Sequence, residues 1–253
     1  MTLIVGLRAK NGVILASDGQ VTDGYVRSTT TKVKQLNSCT LWSASGELAL
    51  IQRVEEHIGA LPDREQPLSN LRDSLAQAVR RAVEGLILLD FRTQFMGNRA
   101  ADLLALHPGE FVFAEWRQTQ AGGKGRLLHI KANGTTEWIE ERPYAIGTGA
   151  LFAYALLNKY EGVDLDRSMA ELLALKVVGE AINVGSWGLG PPIDIWRVSA
   201  NGVARLDDAQ IADLKYAADA LREEELDIFR RHSGGGPDEA AGRARETQVS
   251  APE

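Results

Sequence analysis

Residues 1–22 read Met-Thr-Leu-Ile-Val-Gly-Leu-Arg-Ala-Lys-Asn-Gly-Val-Ile-Leu-Ala-Ser-Asp-Gly-Gln-Val-Thr, and this stretch decides the fold class. Thr2 to Leu7 is short, apolar and rich in β-branched side chains, which suit a pleated strand. Asn11-Gly12 supplies the backbone freedom that a tight hairpin demands. Val13 to Ala16 is the returning strand, and it ends at Ser17-Asp18-Gly19. Val21 to Ser28 continues as a strand pair around Asp23-Gly24, and Val33–Leu36 and Thr40–Ser45 flank a turn at Asn37-Ser38. The first 45 residues are therefore nearly all strand.

The pattern then changes period. From Gly46 to about Ile58, Leu48, Ile51, Val54 and Ile58 fall at helical spacing. Ser69 is positioned to cap a second helix whose apolar stripe, Leu71, Leu75, Val79, Val83, Leu86, carries it to about Phe91. Strands return between Asp102 and Ile139, in the runs Leu103–Leu106, Phe111–Trp116, Leu127–Ile130 and Thr135–Ile139. A second helix pair follows at about Ala150–Lys159 and Ser168–Asn183. Ile193–Val198 is a strand, Ala200-Asn201-Gly202 a hairpin turn, and a last helix runs from Asp207/Asp208 to about Arg231. Strands that come in runs, separated by helix pairs, predict an α+β protein with mainly antiparallel sheets. Two sheets between two helical layers satisfy the order. Residues 1–231 read as a single domain, and 232–253 as a disordered tail without apolar periodicity.

Composition narrows the function. The 253 residues carry 28 Lys+Arg against 34 Asp+Glu, a net charge of −6, which argues against a general nucleic-acid binder. No apolar run is long enough to span a membrane, and the N-terminus has no export pattern. The single cysteine, Cys39, permits no internal disulfide, so a reducing cytoplasm is expected. His57, His107, His129 and His232 lack metal-ligand spacing.

The chemistry begins at Met1-Thr2. Removal of the initiator Met would leave Thr2 with a free α-amine, and hydroxyl plus amine form a minimal nucleophile–base pair. A free α-amine titrates at about 7.7–8.0, close enough to neutrality to act as a base. A lysine nearby would lower that value by like-charge repulsion, and a carboxylate would position the lysine. Asp18 and Lys32 are the candidates, with Lys34 competing. Spacing alone favours Asp18 as a turn cap and both lysines as solvated strand charges.

Thr2, the Asn11-Gly12 hairpin, Ala16-Ser17-Asp18-Gly19-Gln20-Val21-Thr22 and Lys32-Val33-x-x-Leu36 resemble proteasome β-type subunits, and the Asp-Gly-Gln-x-Thr wording is close to HslV. Downstream, Gly147-Thr148-Gly149 resembles the family's Gly-Ser-Gly turn, with Thr148 in the serine's place. Asn183-Val184-Gly185-Ser186 with Gly188 and Ile193-Asp194-Ile195 resembles its Asp-x-x-Ser-Gly-Gly…Ile-Asp segment, Asn183 replacing the aspartate. The likeness spans about residues 1–205.

That resemblance implies the four-layer αββα sandwich of N-terminal-nucleophile hydrolases. It implies Thr2 as nucleophile, Asp18 and Lys32 as its activating pair, and an oxyanion hole at Gly46, or at Ala44 if the register shifts by two. Thr148, Asn183 and Ser186 would orient the α-amine and a water. The implied activity is a threonine endopeptidase acting on peptides or unfolded proteins, with no cofactor, in a homo-oligomeric double ring fed by an ATPase unfoldase. Two alternatives stay open: a non-catalytic ring or scaffold subunit, disfavoured by a chain that opens directly on a strand, and a small-molecule amidase or acylase on the same fold.

Overall fold

The computed structural model describes residues 1–23, 26–86, 109–120, 122–140, 142–184 and 188–233. In chain order the strands are β1 (Ile4–Ala9), β2 (Gly12–Asp18), β3 (Gln20–Asp23), β4 (Val26–Thr29), β5 (Val33–Asn37), β6 (Thr40–Gly46), β7 (Gly109–Thr119), β8 (Gly122–Lys131), β9 (Thr136–Ile139), β10 (Tyr144–Ile146), β11 (Ile193–Ser199) and β12 (Gly202–Arg205). The helices are α1 (Leu48–Gly59), α2 (Leu68–Gly85), α3 (Ala150–Leu157), α4 (Arg167–Asn183) and α5 (Asp208–Ser233).

The first sheet has the order β10-β1-β2-β11-β12 and the second β5-β6-β7-β8-β9, with β3 and β4 forming a separate ribbon. Every pairing is antiparallel. The period-2 alternation of each strand separates three apolar layers. In β1 and β2, Val5, Leu7, Ile14 and Ala16 face α3, α4 and α5, together with Leu173, Ala174 and Val178. The alternate residues Ile4, Val13 and Leu15 meet Leu41, Val112, Ala114 and Leu127 between the two sheets. On the outer face of the second sheet, Trp42, Phe111, Phe113 and Leu128 pack against Leu50, Val54, Leu75 and Val79 of α1 and α2. Each fully buried Leu, Ile or Phe contributes about 1.5–3 kcal/mol. The result is the expected α+β four-layer sandwich.

Several boundaries differ from the sequence reading. The second helix starts at Leu68, not after a Ser69 cap, because buried Glu115 on β7 accepts the Leu68 N–H at 2.8 Å. The carboxylate from a distant strand serves as the cap, so Ser69 falls inside the first turn. Helix α4 begins one residue earlier than expected, at Arg167, with Asp166 accepting the Met169 N–H at 2.8 Å. The last helix extends to Ser233, so residues 232–233 are helical rather than tail, and 234–253 lie outside the described residues. The short edge strand β10 has no counterpart in the sequence reading. The Leu103–Leu106 strand and the end of the second helix beyond Leu86 also lie outside the described residues. Among the described residues, no helix is long and apolar enough to cross a membrane.

Candidate active site

Thr2 sits just ahead of β1, where three segments meet. Ile4 is in register with Ser17 of β2 on one side and with Ile146 of β10 on the other. The chain leaves β10 into Gly147-Thr148-Gly149, and this loop grips Thr2. The Gly149 N–H donates to the Thr2 carbonyl at 3.3 Å, and the Thr2 N–H donates to Thr148 Oγ1 at 3.3 Å. Gly147 has φ 93°, and a Cβ there would strike the Thr2 carbonyl oxygen. A residue without a side chain is required on both counts.

Asp18 ends β2 with no exposure to solvent. Its Oδ1 accepts from Lys32 Nζ at 2.7 Å and from the Leu3 N–H at 2.9 Å. Its Oδ2 accepts from the N–H groups of Gln20 at 3.3 Å and Gly190 at 3.4 Å. A buried carboxylate needs this many donors, because an ion pair alone seldom offsets the desolvation of two charges. The Lys32 side chain is only 6% exposed. Burial pushes its ammonium below the usual lysine range, and Asp18 opposes the shift without cancelling it. Lys32 is held at the entrance to β5 by the Ser43 hydroxyl, which donates to the Lys32 carbonyl at 2.8 Å.

The two reactive side chains converge on one atom. Thr2 Oγ1 donates to the Met1 carbonyl oxygen at 2.8 Å, and Lys32 Nζ donates to that oxygen at 3.2 Å. Lys34 is turned to different partners. Its ammonium pairs with Glu55 on α1 and lies 5.6 Å from the centre of the Trp42 ring. Of the two lysines, Lys32 is the one brought to Asp18 and Thr2.

Cavities flank Thr2 on both sides. One of about 540 Å³ is lined by Met1, Thr2, Lys32, Ala44, Gly46 and Ile51, among others. A second of about 440 Å³ is lined by Thr2, Ser45, Gly46, Glu110, Gly147 and Thr148, among others. Gly46 borders both, at the end of β6 and just before α1, where Glu47 provides no side-chain cap. A helix start leaves N–H groups available to an anion.

Thr2, Asp18, Lys32, Gly46 and Thr148 are therefore brought together. Asn183 is not. It is the exposed last residue of α4 and lines a separate cavity of about 340 Å³ with Lys176, Pro191 and Arg222. Ser186 lies outside the described residues.

A second polar chain behind the 147–149 loop went unread in the sequence. Tyr144 Oη and His129 Nδ1 are 2.8 Å apart, His129 Nε2 is 3.5 Å from Glu110 Oε1, and Glu110 Oε2 accepts the Gly147 N–H at 3.4 Å. His129 holds the Glu110 carboxyl below the usual carboxylate range, with the Gly147 N–H adding to the effect, while partial burial opposes it. His129 showed no spacing that marks it, since its partners come from β7 and β10. Cys39 is half-buried in a turn, with its sulfur 3.5 Å from Ser38 Oγ. Among the described residues, no three His, Cys, Asp or Glu side chains gather where they could hold a metal.

Residues 2–80 match the family profile described as Proteasome subunit. The chain is 26% identical over 241 residues to a proteasome subunit beta of Stackebrandtia nassauensis, covering 87% of this chain and 79% of that protein. It is 28% identical over 187 residues to the ATP-dependent protease subunit HslV of a Sulfurihydrogenibium species, covering 71% of this chain and 88% of that protein. In fold it resembles Anbu (ancestral beta-subunit) from Yersinia bercovieri, with a TM-score of 0.66 at 16% identity over 90% of this chain and 96% of the other. The likeness to proteasome β subunits and HslV read from the sequence is borne out, and the four-layer fold with it.

Proposed function

We propose that this chain, with its likeness to proteasome β subunits and HslV, is a threonine endopeptidase whose nucleophile is Thr2. The observation that carries the reading is the convergence of Thr2 Oγ1 and the buried Lys32–Asp18 pair on a single carbonyl oxygen. Removal of Met1 leaves the α-amine of Thr2 beside Thr148 Oγ1, the present partner of the Thr2 nitrogen. The amine then takes the hydroxyl proton as Oγ1 attacks a peptide carbonyl. Positive charge on Lys32 disfavours a second positive charge on the amine and keeps it basic near neutral pH. The negative charge that develops on the carbonyl oxygen is met by backbone N–H groups around Gly46. The C–N bond breaks, the leaving amine takes the proton, and an ester on Thr2 remains for water to hydrolyse. Thr148 orients the amine.

The substrate is a peptide or an unfolded protein, and no cofactor takes part. The similarity to a subunit named as part of an ATP-dependent protease supports an ATPase partner, with the chain acting in a homo-oligomeric double ring in the cytoplasm.

A peptide epoxyketone, which needs hydroxyl and amine together, tests the reading. Intact mass should show Met1 absent and one adduct on the wild-type protein. Thr2→Ala should take up none, and Thr2→Ser should retain measurable turnover. Retention of Met1 in protein from its native host, or an adduct on Thr2→Ala, would rule Thr2 out.

A further inference from the structure

At the end of β1 remote from Thr2, the space between the sheets opens into a cavity of about 400 Å³. Six residue-to-residue steps of extended chain at about 3.3 Å each separate Arg8 from Thr2, so the two sites lie roughly 20 Å apart. Among the described residues, four cationic side chains, Arg8, Lys10, Lys124 and Arg142, line it against one carboxylate, Asp164. This concentration of positive charge stands on a chain of net charge −6.

Two of the cations are already engaged. Lys10 pairs with Asp164 at 3.0 Å, and Arg142 pairs with Glu137 at 3.3 Å. The side chains of Arg8 and Lys124 have no hydrogen-bond or ion-pair partner among the described residues. Arg8 is opposite Val13 in the β1–β2 register, on the face that meets the second sheet. Its Nε is buried and lacks an acceptor. Trp116, 5% exposed in the same wall, has a buried indole Nε1 that also lacks one. Strand β8 passes over this indole with glycines: a Cβ at Gly123 would strike the ring, and one at Gly125 would lie 2.6 Å from Val13. The absence of side chains there keeps this end of the sandwich open.

Both orphaned groups are donors, and a guanidinium is a donor only. A buried donor without an acceptor costs about 1–3 kcal/mol, and more when it is charged. An acceptor carrying negative charge answers both groups and the surplus cations together. We propose that this end of the sandwich is a binding site for a small polyvalent oxyanion, phosphate or carboxylate in type, held by Arg8 and Lys124 and bordered by Arg142. The proposal does not depend on the assignment of Thr2.

Isothermal titration calorimetry on the full chain at fixed chloride tests it, with pyrophosphate in one arm and citrate in the other. Wild type should bind at least one of the two, and whichever binds identifies the oxyanion class. Arg8→Met, which keeps an unbranched apolar stem, and Lys124→Glu should each weaken binding about tenfold or more, the loss expected of a charge-assisted contact. Lys124 is exposed, so Lys124→Glu decides the matter even where Arg8→Met does not fold. No heat with either anion, or equal affinity in wild type and Lys124→Glu, would overturn the proposal.

Discussion

Lys32 and Lys34 are two residues apart and differ in almost every physical respect. Lys32 is 6% exposed against a fully buried carboxylate, whereas Lys34 is 33% exposed against Glu55, which is 45% exposed. Lys32→Ala removes the only cation that Asp18 meets among the described residues and should cut peptide turnover by about 100-fold or more. Lys34→Ala breaks a half-solvated pair of small value and should keep turnover within roughly threefold of wild type. Steady-state assays on the two variants check this, and the reverse ranking would move the active lysine to position 34. That Thr2, Asp18 and Lys32 meet was legible only through the likeness of residues 1–36 to proteasome β subunits, because their spacing alone leaves Asp18 as a turn cap and the lysines as surface charges. The donors that complete the site were not. The N–H groups of Leu3, Gln20 and Gly190 act through the backbone, which carries no mark in the residue names.

At the scale of elements, period-2 and helical spacing revealed the layers, while ends set by distant partners stayed hidden. The start of α2 depends on Glu115, 47 residues away, and β10 exists only because β1 offers it an edge. The Tyr144–His129–Glu110 chain is of the same kind, joining β10, β8 and β7 behind the loop that holds Thr2. It has a testable consequence in acid. The folded Glu110 titrates below its unfolded value of 4.5, so its contribution to stability is complete above that value. As pH falls through the folded value, Glu110 is protonated in both states and the contribution disappears. Glu110→Gln never carries the charge. The wild-type melting temperature should therefore exceed that of Glu110→Gln at about pH 7, with the gap closing toward about pH 3. Scanning calorimetry across that range checks it, and a gap that widens in acid would contradict the assignment of charge.

The whole molecule presents a large exterior. Helix α5 packs Ile211, Leu214 and Ala218 against the core, but farther along it leaves Ile228 49% and Phe229 72% exposed. Leu151 on α3 is 79% exposed. Exposed apolar groups on the outer helices suit contacts between copies. Native mass spectrometry should find an assembly many times heavier than the 27.5 kDa chain. A monomer or dimer with full activity toward a small amide would instead favour an amidase with an open site.

The four donors on Asp18 also govern how an inactive form of this protein should be made. Substituting Asp18 would remove the partner of the proposed active lysine, but it would also strand that buried lysine and three amide hydrogens drawn from the residue ahead of β1, from β3 and from the segment before β11. Breaking such a buried pair costs about 3–5 kcal/mol. A dead enzyme obtained that way would confound lost reactivity with a loosened scaffold. Thr2 lines two cavities, and among the described residues its hydroxyl accepts no hydrogen bond. Substrate-trapping work should begin at Thr2, the proposed nucleophile, whose replacement leaves the Asp18 network as it is.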